Sequence, residues 1–241
     1  MSKLKIKLKG VVVPNDDKWI YDWIEVDAVS PRDVESQLEA SNGEDLEVEI
    51  NSPGGDVYSG SEIYTALKSY PGKVKVSIVG VAASAASVIA MAGDHVSISP
   101  TAQLMIHNVS GMVVGDYRVL DHESQVLKDY NVSIANAYAL KTNLEQKELL
   151  GLMNKETWMN AQQALEKGFA DEIMFDEGNK LAAAANGVML PPQMVSKLRS
   201  VLKKDQNPYP PAPEPAKQAP VDIYQKKILL NRRKANVQNL I

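Results

Sequence analysis

The sequence predicts an α/β layered fold in which short strands alternate with helices along residues 1–200. Three observations point there. Runs rich in β-branched and apolar residues (KLKIKLKGVV, LEVEIN, VKVSIVG, HVSIS and QLMIH) are interleaved with segments of helical spacing. Two strand ends run into small-residue junctions that open helices, NSPGGD (51–56) and GVAASAAS (80–87). Hydrophobic residues make up 44% of the 241, enough to bury a core.

Each element has its own signal. KLKIKLKGVV places lysines at alternate positions, which marks a strand with one charged face. In SPRDVESQLEAS, Ser30 is a suitable N-cap and Pro31 a suitable first helical residue. LEVEIN is a short strand that leads through the SPGGD turn into a helix with Ile63, Leu67 and Tyr70 on one side. VKVSIVG runs into AASAASVIAMAG, a helix of small residues fit for close packing. HVSIS and QLMIH are further short strands, and Met112–Val114 is expected to add another. From about Asp116 to Leu150 the pattern predicts one long interface helix, with Val119, Val126, Tyr130, Ile134 and Tyr138 as buried or interface positions. Asn160 and Gln163 form a capping box for NAQQALEKG, which Gly168 ends. FADEIMF closes the alternation as a strand. There is no internal repeat.

The composition divides the chain. Residues 208–220, PYPPAPEPAKQAP, hold six of the thirteen prolines. This run predicts an extended linker over 201–220 between a domain at 1–200 and a Pro-rich C-terminal tail. The last stretch, 221–241, is basic, and is expected to be a mobile tail or a segment that orders on a partner. Residues from Leu202 onward carry +5 and the preceding ones −9, for a net charge of −4. That balance gives no reason to expect nucleic acid. With no cysteine, disulfide scaffolds, thiolate metal sites and thiol nucleophiles are excluded, and three histidines leave little scope for a multi-His metal centre. The N-terminus lacks the apolar stretch of a signal peptide, and no 18-residue apolar run predicts a membrane span. The expectation is a cytoplasmic protein.

The two junctions carry the chemistry. Where a strand ends and a helix begins, backbone N–H groups lack helical partners and favour negative charge. A serine at such a junction, with glycine N–H groups from its neighbour, is how acyl-transfer enzymes hold a tetrahedral oxyanion. No G-x-S-x-G elbow and no phosphate-binding G-x-x-x-x-G-K-[ST] loop is present. A serine nucleophile needs a base. His107 ends the apolar run LMIH, a position from which a rigid element reaches a cleft, whereas His95 and His122 lie in polar contexts and read as solvated.

INSPGGDVYSGSEIY, GVAASAASVIAMAG, AQLMIHNVSG and TWMNAQQALEKGFADEI, in that order and spacing over roughly 45–175, resemble the successive motifs of the ClpP-type serine peptidases. The resemblance implies the crotonase-related ClpP fold, peptide-bond hydrolysis without metal or cofactor, and homo-oligomeric rings. It places the nucleophile on Ser84, with Ser87 one turn later in a packing position, and the base on His107. The oxyanion donors fall on the backbone N–H groups of Gly55 and Ala85. The third triad member, usually aspartate, falls on Glu156; Asp171 is a nearby acidic competitor whose G-F-A-D context matches a structural stretch. Met112–Val114 is the strand expected to pair with an extended protein or peptide substrate. The short N-terminus, the T-W-M motif and the tail resemble proteases of tailed phages and prophages, which process capsid or scaffold proteins during head maturation. The alternatives are a housekeeping ATP-dependent Clp subunit, a crotonase-type acyl-CoA enzyme using acidic residues, and a catalytically dead scaffold component.

Overall fold

A computed structural model describes residues 4–176. The linker and basic tail expected at 201–241 lie outside the described residues, as does the expected domain end at residue 200.

The strands are β1 (Leu4–Val12), β2 (Ala28–Val29), β3 (Leu46–Gly55), β4 (Val74–Ala83), β5 (His95–Ile98), β6 (Gln103–Ile106), β7 (Thr157–Met159) and β8 (Glu172–Ile173). They form one sheet of order β2-β1-β3-β4-β5-β8, with β6 joined to β4 and β7 joined to β6. Every pairing is parallel except β6–β7. Parallel strands need crossovers, and the helices supply them. They are α1 (Lys18–Trp23), α2 (Pro31–Ala40), α3 (Val57–Lys68), α4 (Ala85–Ala90), α5 (Tyr117–Thr142), α6 (Gln146–Asn154) and α7 (Ala161–Glu166).

Alternation along the strands separates core from surface. Ile6 and Leu8, Val48 and Ile50, Val76 and Ile78, Val96 and Ile98 are buried together with Ile63 and Leu67 of α3 and Ile89 of α4. Lysines of β1 face the other way: Lys5 pairs with Glu49 at 2.7 Å and Glu47 at 3.7 Å, and Lys9 with Glu49 at 3.5 Å. Hydrogen bonding to Lys5 holds the Glu49 carboxyl below its usual range and raises the Lys5 ammonium.

Several local expectations hold and others are corrected. Ser30 caps α2 in a box with Asp33, and Asn160 caps α7 in a box with Gln163. Gly168, at φ 78°, follows α7 as the sequence indicates. The long helix is shorter than its pattern suggests: α5 ends at Thr142 because Asn143 takes a left-handed C-cap at φ 59°, and α6 follows as a separate helix. Of the positions expected to be buried or at an interface, Ile134 and Tyr138 are buried, Val126 and Tyr130 half-buried and Val119 exposed. Met112–Val114 is not a strand: residues 108–114 stay irregular, Met112 is 97% exposed, and Asn131 Oδ1 takes the Val109 N–H at 2.8 Å. SPGGD is not a free turn. Pairing of β3 with β1 continues, through an irregularity, to Gly55 opposite Val12. No helix among the described residues is long and apolar enough to cross a membrane.

Candidate active site

The sheet divides at β4. Residues Lys75–Ile78 pair with β5, whereas Val81–Ala83 pair with β6. Because β4 and β6 are parallel, with Ala83 beside Met105, the residues just past their carboxyl ends emerge side by side. Those residues are Ser84 and His107. Carboxyl ends of parallel strands are where open α/β sheets bind ligands.

Ser84 bridges β4 and α4 at φ 54°, ψ −127°, a conformation that a residue with a Cβ avoids. Its amide donates to Met105 O at 3.0 Å, and its carbonyl accepts from Ser87 N at 2.9 Å. The sharp turn turns the side chain away from the ladder and toward His107, and Ser84 Oγ lies 2.7 Å from His107 Nε2. With the hydroxyl donating, the imidazole accepts at Nε2 and carries its proton on Nδ1, the arrangement of a general base.

Gly54 and Gly55 let β3 end against this turn. A Cβ on Gly54 would lie 2.5 Å from Ala83 O and 2.8 Å from Ser84 Cβ; one on Gly55 would lie 2.1 Å from Val12 O. Their φ values, +89° and +152°, also favour glycine. Gly55, Ser84, Ala85 and His107 share a cavity of about 240 Å³, whose apolar wall is Val57, Val88, Val109 and Ile134. Ala85 opens α4, and N–H groups in a first helical turn have no i−4 partner.

Glu156 is placed differently. The antiparallel β6–β7 register ends with Ile106 beside Thr157, and His107 and Glu156 each lie one residue beyond that pair. Yet its carboxylate accepts from Trp158 Nε1 at 3.2 Å, and among the described residues no hydrogen bond joins it to His107. Glu156 stands at φ 48°. Asp171 is engaged elsewhere, accepting from Val96 N at 2.7 Å and Lys141 Nζ at 2.6 Å. Ser87 is fully buried and turned from the cavity, its Oγ donating to Ser84 O at 2.6 Å and lying 2.8 Å from Tyr138 Oη. Burial pushes the Tyr138 phenol well above its usual range. His95 opens β5 and meets Glu172 Oε2 at 3.1 Å, so it is bonded rather than merely solvated; His122 is exposed on α5.

The Ser87–Tyr138 contact was not visible in sequence, because its partners are 51 residues apart and neither type announces the other. Tyr58, whose edge meets Tyr130 with centroids 5.4 Å apart, joins the cavity lining and had no signal either. Among the described residues no group of three or more His, Asp or Glu side chains is arranged to hold a metal ion.

A hydroxyl held on a strained strand-to-helix turn within 2.7 Å of an imidazole nitrogen is the pairing of serine-type hydrolases, and comparison with known proteins narrows the class to serine-type peptidases. Residues 30–177 match the family described as Clp protease, and the chain belongs to that family. An ATP-dependent Clp protease proteolytic subunit of Deinococcus radiodurans is 31% identical over 140 residues, covering 57% of this chain and 69% of the relative. The subunit of the same name in Bacteroides thetaiotaomicron is 27% identical over 164 residues, 66% of this chain and 74% of the relative. Subunit 1 of Chlamydia muridarum is 31% identical over 140 residues, 56% and 72% of the two chains.

Proposed function

We propose that the chain is a serine endopeptidase whose nucleophile is Ser84. The observation that carries this reading is the 2.7 Å contact between Ser84 Oγ and His107 Nε2 inside the cavity. Ser84 Oγ attacks the scissile carbonyl while its proton passes to His107 Nε2. The N–H groups of Gly55 and Ala85 hold the resulting oxyanion, each such donor contributing about 3 kcal/mol in the transition state. The intermediate collapses to an acyl-Ser84, and the leaving amine takes the proton from His107. Water, activated by the same imidazole, then hydrolyses the ester.

Glu156 is the third member in this reading, orienting His107 and stabilising the imidazolium. Its support is the β6–β7 register, whose last pair, Ile106 with Thr157, lies one residue from both His107 and Glu156. To act, its carboxylate leaves the Trp158 indole and accepts from Nδ1. The crotonase-type alternative has less support, since it needs acidic groups where Ser84 and His107 stand.

The substrate in this proposal is protein, and the working form is a homo-oligomeric ring, supported by Val119, Leu120 and Val132, which α5 leaves exposed. A phage or prophage setting, with capsid or scaffold protein as substrate, is supported by the T-W-M segment and by the proline run followed by a basic tail. The names of the relatives favour a second setting, a subunit fed by an ATP-dependent partner. Co-expression with a capsid or scaffold protein yields site-specific cleavage in the first setting. ATP-stimulated loss of a folded substrate marks the second. Fluorophosphonate labelling followed by mass spectrometry tests the chemistry: label on Ser84 is expected, and label on another serine would refute the assignment.

A further inference from the structure

Two buried hydroxyls lie behind the nucleophile, on the side away from the cavity. Ser87 is fully buried and Tyr138 is 1% exposed. A serine hydroxyl has a single proton to donate. Ser87 commits its own to the Ser84 carbonyl at 2.6 Å, so across the 2.8 Å contact Tyr138 is the donor and Ser87 Oγ the acceptor. The relay therefore has one direction, from the Tyr138 O–H to Ser87 and from the Ser87 O–H to Ser84 C=O. The tyrosine ring is itself held, edge to face against Phe169 with centroids 5.6 Å apart.

What the relay grips is the peptide unit between Ser84 and Ala85. That unit is planar, and in the trans form its C=O and N–H point in opposite directions. Holding the oxygen from behind therefore aims the Ala85 N–H forward. Local backbone geometry holds it only in part: the Ser87 N–H donates to the Ser84 carbonyl at 2.9 Å, but α4 has six residues, the Val88 N–H reaches that carbonyl only at 3.4 Å, and Ser84 stands at a φ of 54° that a side chain disfavours. We propose that Ser87 and Tyr138 are positioning residues that set the direction of the Ala85 N–H, and hence the strength of the oxyanion site, through the Ser84 carbonyl. The inference rests on the reading of Ser84 and Ala85 given above. Neither hydroxyl touches substrate.

The test compares wild type, Ser87→Ala, Tyr138→Phe and the double variant as full-length chains. Turnover of a fluorogenic peptide is normalised to fluorophosphonate-titrated sites, with the Ki of a peptide aldehyde and thermal unfolding measured in parallel. Losing an oxyanion donor outright costs about 10²–10³ in kcat, so a misaimed donor in Ser87→Ala should cost about tenfold, with KM within about twofold. Tyr138→Phe should act in the same direction and less. The aldehyde, whose adduct places an oxyanion in the same position, should weaken in proportion to kcat. Ser87→Ala leaves the buried Tyr138 hydroxyl without its partner, whereas the double variant leaves no such hydroxyl, so its stability should recover relative to Ser87→Ala. Its turnover should not. Recovery of kcat together with stability would show that the pair only supports the fold, and unchanged kcat in Ser87→Ala would equally overturn the proposal. Failure of the underlying site assignment has a separate signature: wild type unlabelled at Ser84, or Ser84→Ala still active.

Discussion

Replacing Ser84 by glycine and, separately, by alanine isolates the backbone cost of the strained turn at this position. Both variants remove the hydroxyl and its 2.7 Å contact with His107, and they differ only in the Cβ. At φ 54°, ψ −127° that Cβ is strained, at a cost of about 1–3 kcal/mol. Glycine relieves the strain but gives up about 0.5–1 kcal/mol to the greater freedom of the unfolded chain. The strain is the larger effect, leaving Ser84→Gly about 1 kcal/mol more stable than Ser84→Ala. For a chain of this length that difference moves Tm by about 2–4 °C. Urea unfolding followed by tryptophan fluorescence, with calorimetry on the same samples, measures it, and both variants should be inactive. Should Ser84→Gly melt below Ser84→Ala, the turn is not strained and the account of how it presents the hydroxyl is wrong.

Other perturbations separate the remaining roles. Glu156→Gln should lower kcat by about two orders of magnitude or more with folding intact, because a neutral amide stabilises the imidazolium poorly; near-normal turnover would leave a Ser–His dyad. Asp171→Asn should instead lower Tm with turnover per titrated site preserved, since its carboxylate ties Lys141 and the Val96 N–H; lost turnover at unchanged Tm and assembly would pass the third role to Asp171. Gly55→Ala meets Val12 O at 2.1 Å and an unfavourable φ, and should cost about 2 kcal/mol or more along with most fluorophosphonate labelling. Glu49, whose carboxyl Lys5 holds below its usual range, contributes stability that is present above the ordinary carboxylate pKa and is lost as pH falls through the lowered one. The small Tm gap between wild type and Glu49→Gln should therefore close in acid, and a gap that widens there would contradict the assigned partner.

The sequence made visible those features that local chemistry determines. Alternating lysines set one face of β1, and Ser30 with Pro31 and Asn160 with Gln163 marked two helix starts. The motif resemblance singled out Ser84 and His107. Their meeting depends on something no local pattern contains, the parallel register of Ala83 with Met105. α1 escaped notice because it buries nothing, with Trp23 78% exposed, so it lacks an apolar stripe to read. The break at Asn143 was hidden because apolar spacing persists across it into α6, while the left-handed cap depends on one residue's backbone. β7 is three residues long, too short for alternation to register, and yet its pairing with β6 ends one residue from both Glu156 and His107.

The fork in β4 divides the site between two cooperative neighbourhoods. Ser84 and the Gly55 and Ala85 amides stand on the long β1–β3–β4 ladder, where β3 pairs on both edges. His107 and Glu156 border β6 and β7, joined to that ladder by three residue pairs from Val81–Gln103 to Ala83–Met105. Short outer pairings open at lower free energy than central ones. A fluctuation that releases β6 and β7 would carry His107 and Glu156 away together while Ser84 stayed on its platform. In the proposed mechanism, proteolytic competence then follows the closure of a small annex, and amide exchange along β6 should report the fraction of active enzyme more faithfully than exchange in the central strands.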